Sequence, residues 1–150
     1  MSQTTKALNL KRVFTAAGVH PYDELKWQKA TAKIENPMTG EVVFEQKEAE
    51  FPDTWSVNAI NIVSQKYFAG TPGDASRESS LRQLLDRVAD TITRHGQQNG
   101  YFLNDDEAEL FNHELKAILV NQRAAFNSPV WFNIGVSDRE QQASACFILR

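Results

Sequence analysis

The residue best suited to chemistry is Cys146, the only cysteine of the chain. It lies in Gln142-Ala143-Ser144-Ala145-Cys146-Phe147-Ile148-Leu149. A thiol can act as a nucleophile, a metal ligand or an electron donor, provided that it is accessible and its environment is tuned. Ser144 and Ala145 keep side chains small just before the sulfur, which lets backbone N–H groups and the thiol approach a ligand closely. Upstream, Asn127-Ser128-Pro129-Val130-Trp131-Phe132-Asn133 is a polar turn without helical or strand periodicity, and Ser128 adds a hydroxyl. Read together, the two stretches look like the start of an active site. The plain alternative is a filler role, because unpaired cysteines are among the residues most often buried.

Other candidate groups are weaker. His20, His95 and His113 stand in separate segments without partners at ligand spacing, and a single cysteine excludes a Cys-x-x-Cys site, so no metal site is expected. Asp105-Asp106-Glu107 is explained by an acidic helix start, where the dipole favours negative charge. Gly70-Thr71-Pro72-Gly73 lacks the Lys-Ser/Thr that a phosphate loop requires. Trp27, Trp55 and Trp131 are expected to be core anchors, with Trp131 also placed to line a pocket near the cysteine segment.

The elements that must position these groups follow from local patterns. Ala32 and Ile34 alternate with polar neighbours, Asn36-Pro37-Met38-Thr39-Gly40 is a turn, and Val42, Val43 and Phe44 begin a second extended run. A hairpin near 31–51 is predicted. Asp53 is placed to cap a following helix whose Trp55, Ala59, Ile62, Val63 and Tyr67 recur at helical spacing. A second helix over 76–95 carries the stripe Leu81, Leu84, Leu85, Val88 and Ile92, with Gly96 set to end it. A third starts at the cap Asn104, with Glu107 three residues on, and runs to about Ala125. Proline at 129 then stops the helical period, and a loop is expected. From Ala143 the chain reads as a short strand with no partner strand. The first dozen residues are expected to be mobile unless another segment holds them.

At 150 residues, 41% hydrophobic and 10% aromatic, the chain can bury one moderate core. The net charge of −3 offers no field for a polyanion, so no nucleic acid polymer is expected as partner. No signal peptide and no apolar run of ~18 residues is present, so no membrane partner is expected either. With one cysteine there is no internal disulfide, and a cytoplasmic protein is predicted.

The segment Asn127-Ser128-Pro129-Val130-Trp131-Phe132-Asn133-Ile134-Gly135-Val136, followed by Gln141-Gln142-Ala143-Ser144-Ala145-Cys146-Phe147, resembles the beginning of the catalytic region of class II, adenosylcobalamin-dependent ribonucleotide reductases. Trp55-Ser56-Val57-Asn58-Ala59, Lys66-Tyr67-Phe68, Glu78-Ser79-Ser80-Leu81-Arg82-Gln83 and Asp86-Arg87-Val88-Ala89-Asp90 are similar to the N-terminal region of the same enzymes, so the resemblance covers nearly the whole chain. It implies radical reduction of ribonucleotides to deoxyribonucleotides, in which a thiyl radical abstracts a ribose hydrogen and a cysteine pair supplies the electrons that replace the 2′-hydroxyl. By this resemblance Cys146 is the first redox cysteine, and Ser128 with the backbone of Ala145 and Cys146 contacts the substrate. Adenosylcobalamin is the implied cofactor, its site largely outside this chain, and a thioredoxin-type reductant serves the full enzyme. Diphosphates are the expected substrates.

The implied fold is mainly α with a small β-hairpin: a helical region over 1–126, then the start of the catalytic α/β barrel over 127–150, with the Cys146 strand as the barrel's first. The second redox cysteine and the radical-bearing cysteine are not in this chain, which is therefore expected to be inactive alone and to work with the remainder of the reductase. Without the barrel, residues 127–150 are expected to be disordered, or to pair with a second copy through the exposed strand as a homodimer. The competing reading is a non-catalytic helical interaction module that buries the stripes of 76–95 and 104–125 against a partner.

Overall fold

In the computed structural model, residues 7–144 are described. They form an antiparallel hairpin and four helices in two compact units. One unit combines the residues up to Glu24 with Leu85–Ala125, and the other combines Leu25–Leu84 with the residues from Phe126 onward. Ala145, Cys146 and the rest of the strand expected from Ala143 lie outside the described residues, and its first two residues, Ala143 and Ser144, have no regular structure.

In the second unit the hairpin consists of β1 (Trp27–Glu35) and β2 (Val42–Pro52), paired from Trp27 with Pro52 to Glu35 with Val42. Asn36 builds the turn: its carbonyl accepts from Gly40 N–H at 2.8 Å and its side chain accepts from Met38 N–H at 2.9 Å. Gly40 takes the left-handed φ of 71° that a side chain would disfavour. Between the pairs Ala30/Ala49 and Ala32/Gln46 the register shifts, and Glu48 there adopts φ 57°. Such a bulge bends and twists the ribbon, and Ala32, Phe44, Ala49 and Phe51 are buried.

Helix α1 (Val57–Lys66) packs against this hairpin. Its cap is Ser56, whose hydroxyl accepts from Ala59 N–H at 3.2 Å, whereas the sequence pattern pointed to Asp53. Pro52 still belongs to β2, and the chain needs a turn over the next residues before it can enter the helix. The inward face also differs from the expected stripe. Ile60 and Ser64 are buried, with Phe68 beyond the helix end, while Ile62 is exposed. Phe51 sets this phase by stacking on Phe68 at 5.6 Å and meeting Trp55 at 5.6 Å.

Helix α2 (Leu81–Gln98) starts later and ends later than its pattern suggested. Leu81, Leu84, Leu85 and Val88 are buried as expected, while Ile92 is only half-buried. Gly96 lies inside the helix; a Cβ there would meet the Phe102 ring at 2.6 Å, so this glycine permits close packing. Gly100 ends the helix at φ 67°, with Tyr101 N–H donating to Gly96 O at 2.9 Å and Gly100 N–H to Gln97 O at 3.1 Å. This is the paired bonding of a Schellman motif.

Helix α3 (Asp105–Val120) begins at Asn104 as the sequence predicts, its side chain accepting from Glu107 N–H at 2.9 Å. It stops at Val120, short of Ala125. Gln122 takes φ 55°, and Gln122 and Arg123 N–H donate to Leu119 and Ile118 carbonyls at 3.1 and 3.0 Å. The same motif thus ends a helix without glycine. On the buried side, Lys116 bridges Asp86 at 2.7 Å and Asp90 at 2.9 Å, and Tyr22 Oη donates to Asp86 at 2.9 Å.

The residues from Leu8 to Thr15 are held by another segment, the condition attached to their mobility. Leu10 N–H donates to Glu107 Oε1 at 2.7 Å, and Glu114 accepts from Phe14 N–H, Thr15 N–H and Thr15 Oγ1 at 2.9, 2.9 and 2.6 Å. Burial opposes the Glu114 charge, but the Thr15 hydroxyl and the Phe14, Val13 and Thr15 N–H groups outweigh it and hold the carboxyl below its ordinary value. A carboxylate with a depressed folded pKa contributes stability above its unfolded pKa and loses it as pH falls through the folded value. The Phe14 and Thr15 amide proton shifts, followed by NMR, should therefore titrate with a midpoint below the ordinary glutamate value. In Glu114→Gln no such titration should remain. A midpoint at or above the ordinary value in the unmodified chain would contradict this.

Candidate functional site

After Phe126 the second unit resumes with α4 (Ser128–Asn133), where a loop and disorder were expected. The correction has a local cause. Proline is tolerated in the first turn of a helix, where its absent N–H would have no intrahelical partner. Here Pro129 sits in that turn after the extended Asn127. Trp131 is buried, and its indole N–H donates to Phe126 O at 2.9 Å, as a core anchor would. Its ring meets Phe126 edge-on at 5.6 Å.

The residues after α4 are fastened by their own side chains. Asn133 Nδ2 donates to Pro129 O at 3.0 Å, and Arg139 donates to Phe132 O at 3.1 Å. Gly135 N–H donates to Gln141 Oε1 at 2.7 Å, while Gln141 Nε2 donates to Val136 O at 3.1 Å. The segment that leads to Ser144 is therefore a shaped turn.

Of the three residues expected to form the site, Cys146, Ser128 and Ala145, Ser128 is the one among the described residues. Its hydroxyl lies 3.1 Å from the Tyr67 hydroxyl, and either oxygen can be the donor. The Tyr67 ring packs against Phe132 of α4 at 5.3 Å. Tyr67 is the C-cap of α1, its N–H donating to Val63 O at 2.9 Å. The sequence placed Tyr67 among the apolar positions of a helix, and no local pattern joins it to a serine 61 residues away.

Tyr67 is held in place by the loop after it. The Arg77 guanidinium donates to Phe68 O at 2.6 Å, to Gly70 O at 2.7 Å and to Ser64 O. Glu78 closes the loop base, accepting from Ala69 N–H at 2.7 Å while its own N–H donates to Ala69 O at 2.9 Å. Gly70-Thr71-Pro72-Gly73 thus belongs to a clasped turn whose charged groups are turned onto its own backbone. Side chains locked by packing and hydrogen bonds are what a binding constellation needs beneath it.

Among the described residues no group of three or more His, Cys, Asp or Glu could hold a metal ion. Their helices also include none long and apolar enough to cross a membrane.

Residues 28–122 match the family described as class II vitamin B12-dependent ribonucleotide reductase. The chain is 49% identical over 148 residues to the vitamin B12-dependent ribonucleotide reductase of Streptomyces clavuligerus, covering 99% of this chain and 15% of that protein. It is 51% identical over 144 residues to the protein of the same name from Streptomyces coelicolor, covering 96% and 15%. The one from Bradyrhizobium diazoefficiens is 32% identical over 162 residues, covering 86% and 13%. The chain thus spans about 15% of the length of the Streptomyces relatives.

Proposed function

Because this chain belongs to the family of class II vitamin B12-dependent ribonucleotide reductases, as an N-terminal part of such a protein, we propose that it supplies one wall of the substrate site and the first redox cysteine of an enzyme that reduces ribonucleotides to deoxyribonucleotides. The observation that carries this reading is the similarity along 99% of the chain, which includes the Ser128 turn and the Cys146 segment. Residues 1–126 form the helical N-terminal region, and 127–150 begin the catalytic α/β barrel.

In this reading Ser128 and the backbone at Ala145 and Cys146 contact the nucleotide, and Cys146 donates electrons. The balance of the step requires two thiols. The ribose 2′-hydroxyl leaves as water, a C–H bond replaces the C–O bond, and Cys146 and a cysteine of the remaining polypeptide become a disulfide. A thioredoxin-type dithiol returns the pair to thiols. Ribonucleoside diphosphates are the proposed substrates.

Adenosylcobalamin, when bound to the complete enzyme, supplies the radical that starts the reaction. The described imidazoles are engaged by neighbours: His20 and His113 pack edge to face at 4.9 Å, and His95 lies beside Asn99 on the exposed end of α2. The cofactor's site is assigned largely to the polypeptide outside this chain, and the residues here act on the substrate side.

The test is ribonucleotide reduction with adenosylcobalamin and a dithiol, comparing the chain alone with the chain plus the remainder of the reductase as a second polypeptide. Turnover is expected only in the mixture. An associated mixture without turnover would overturn the enzymatic reading and leave a helical interaction module.

A further inference from the structure

We propose that Tyr67 is a positioning residue for the nucleotide, acting through Ser128: it donates its phenolic proton to Ser128 Oγ and so turns the serine proton toward an oxygen of the substrate. The inference rests on the assignment of Ser128 to the substrate site made above. The motivating geometry is the 3.1 Å approach of the two hydroxyls. A serine has one proton. If Ser128 gives that proton to a nucleotide oxygen, Tyr67 must be the donor in the bond between them, and a hydroxyl that accepts such a bond becomes a better donor in turn.

Both partners are held from beneath by separate means. On one side, Tyr67 ends α1 and is followed by Phe68, which is buried against Phe51 and whose carbonyl Arg77 grips at 2.6 Å. On the other, Ser128 opens α4, which is anchored by the Trp131 indole on Phe126 O. Phe132 then packs on the Tyr67 ring at 5.3 Å and fixes the direction in which its hydroxyl points. A purely structural tyrosine would need the ring contact, while the proposed role needs the oxygen as well.

Tyr67→Phe keeps the ring and removes only the oxygen, which makes it the discriminating variant. In the reconstituted reductase, Tyr67→Phe should raise KM for the nucleotide about threefold to tenfold, the worth of one hydrogen bond, with kcat changed less than about twofold. Ser128→Ala should raise KM at least as much, and the double variant should match Ser128→Ala alone, because Tyr67 then has nothing to orient. A Tyr67→Phe effect that persists undiminished in the Ser128→Ala background would overturn the inference, as would an unchanged KM in Tyr67→Phe beside a raised KM in Ser128→Ala. If Ser128→Ala itself leaves KM unchanged, the substrate role of Ser128 falls, and the inference falls with it. Thermal melts of the variant chains separate these outcomes from misfolding.

Discussion

Cys146→Ser in the reconstituted reductase is expected to lower dithiol-driven nucleotide reduction by about a thousandfold or more, the scale on which removal of an essential reacting group is felt. The reason lies in electron balance. A hydroxyl cannot close a disulfide, so the two electrons that replace the ribose C–O bond have no source at this position. Folding should change little, within about 0.5 kcal/mol, because one small side chain replaces another. The informative measurement is therefore a pair: turnover of the mixture, and the unfolding midpoint of the chain. Retained turnover would remove Cys146 from the chemistry and return it to the role of a buried filler. Lost turnover with a large loss of stability would point to folding as the cause.

The second large effect concerns the clasped loop. Gly70→Ala should destabilise the chain by about 3 kcal/mol or more, because two costs coincide. Gly70 has φ 83°, where an L side chain is strained, and a Cβ there would lie 2.5 Å from Ser76 O and 2.8 Å from Arg77 Cα. Neither contact is a flexible side chain end that could swing away. Ser76 N–H is tied to Asp74 Oδ1 at 2.8 Å, Arg77 N–H to Asp74 O at 3.0 Å, and the Arg77 guanidinium holds Phe68 and Gly70 carbonyls.

Gly73→Ala is the matched control. Gly73 has φ 86° but nothing within 4 Å of the added carbon, so its cost should be the backbone strain alone, about 1–2 kcal/mol. Urea unfolding of the two variants would isolate the clash as their difference. Equal losses would show that the loop yields and that the clasp is loose. The loop matters to the site because Arg77 grips the carbonyl next to Tyr67. Opening it should also weaken the Tyr67 to Ser128 approach.

The features legible in the sequence are those set by neighbours a few positions apart. Asn104 with Glu107 marks the start of α3, since a cap and the N–H groups it serves lie within one turn. Asn36 to Gly40 marks the hairpin turn, and Leu81 to Val88 marks the buried side of α2. Family membership was legible for a different reason: it is carried by residue identities along the whole chain and needs no geometry.

Features that depend on contacts between distant segments were decided by tertiary structure. Phe51 stacking on Phe68 turned α1 so that Ile60 and Ser64 face inward, where the periodicity alone favoured Ile62. The Phe102 ring explains a glycine inside α2, and a left-handed Gln122 ended α3 where no glycine announced it. Pro129 read as a stop, yet a proline halts or starts a helix according to the contacts its neighbours make; here Trp131 found a partner in Phe126 O and a short helix formed. The juxtaposition of Tyr67 with Ser128 spans 61 residues, and only the packing of α4 beside the end of α1 brings those hydroxyls together. Short-range hydrogen bonding is written in residue order, whereas the choice of which face is buried and which hydroxyls meet is made when the segments pack.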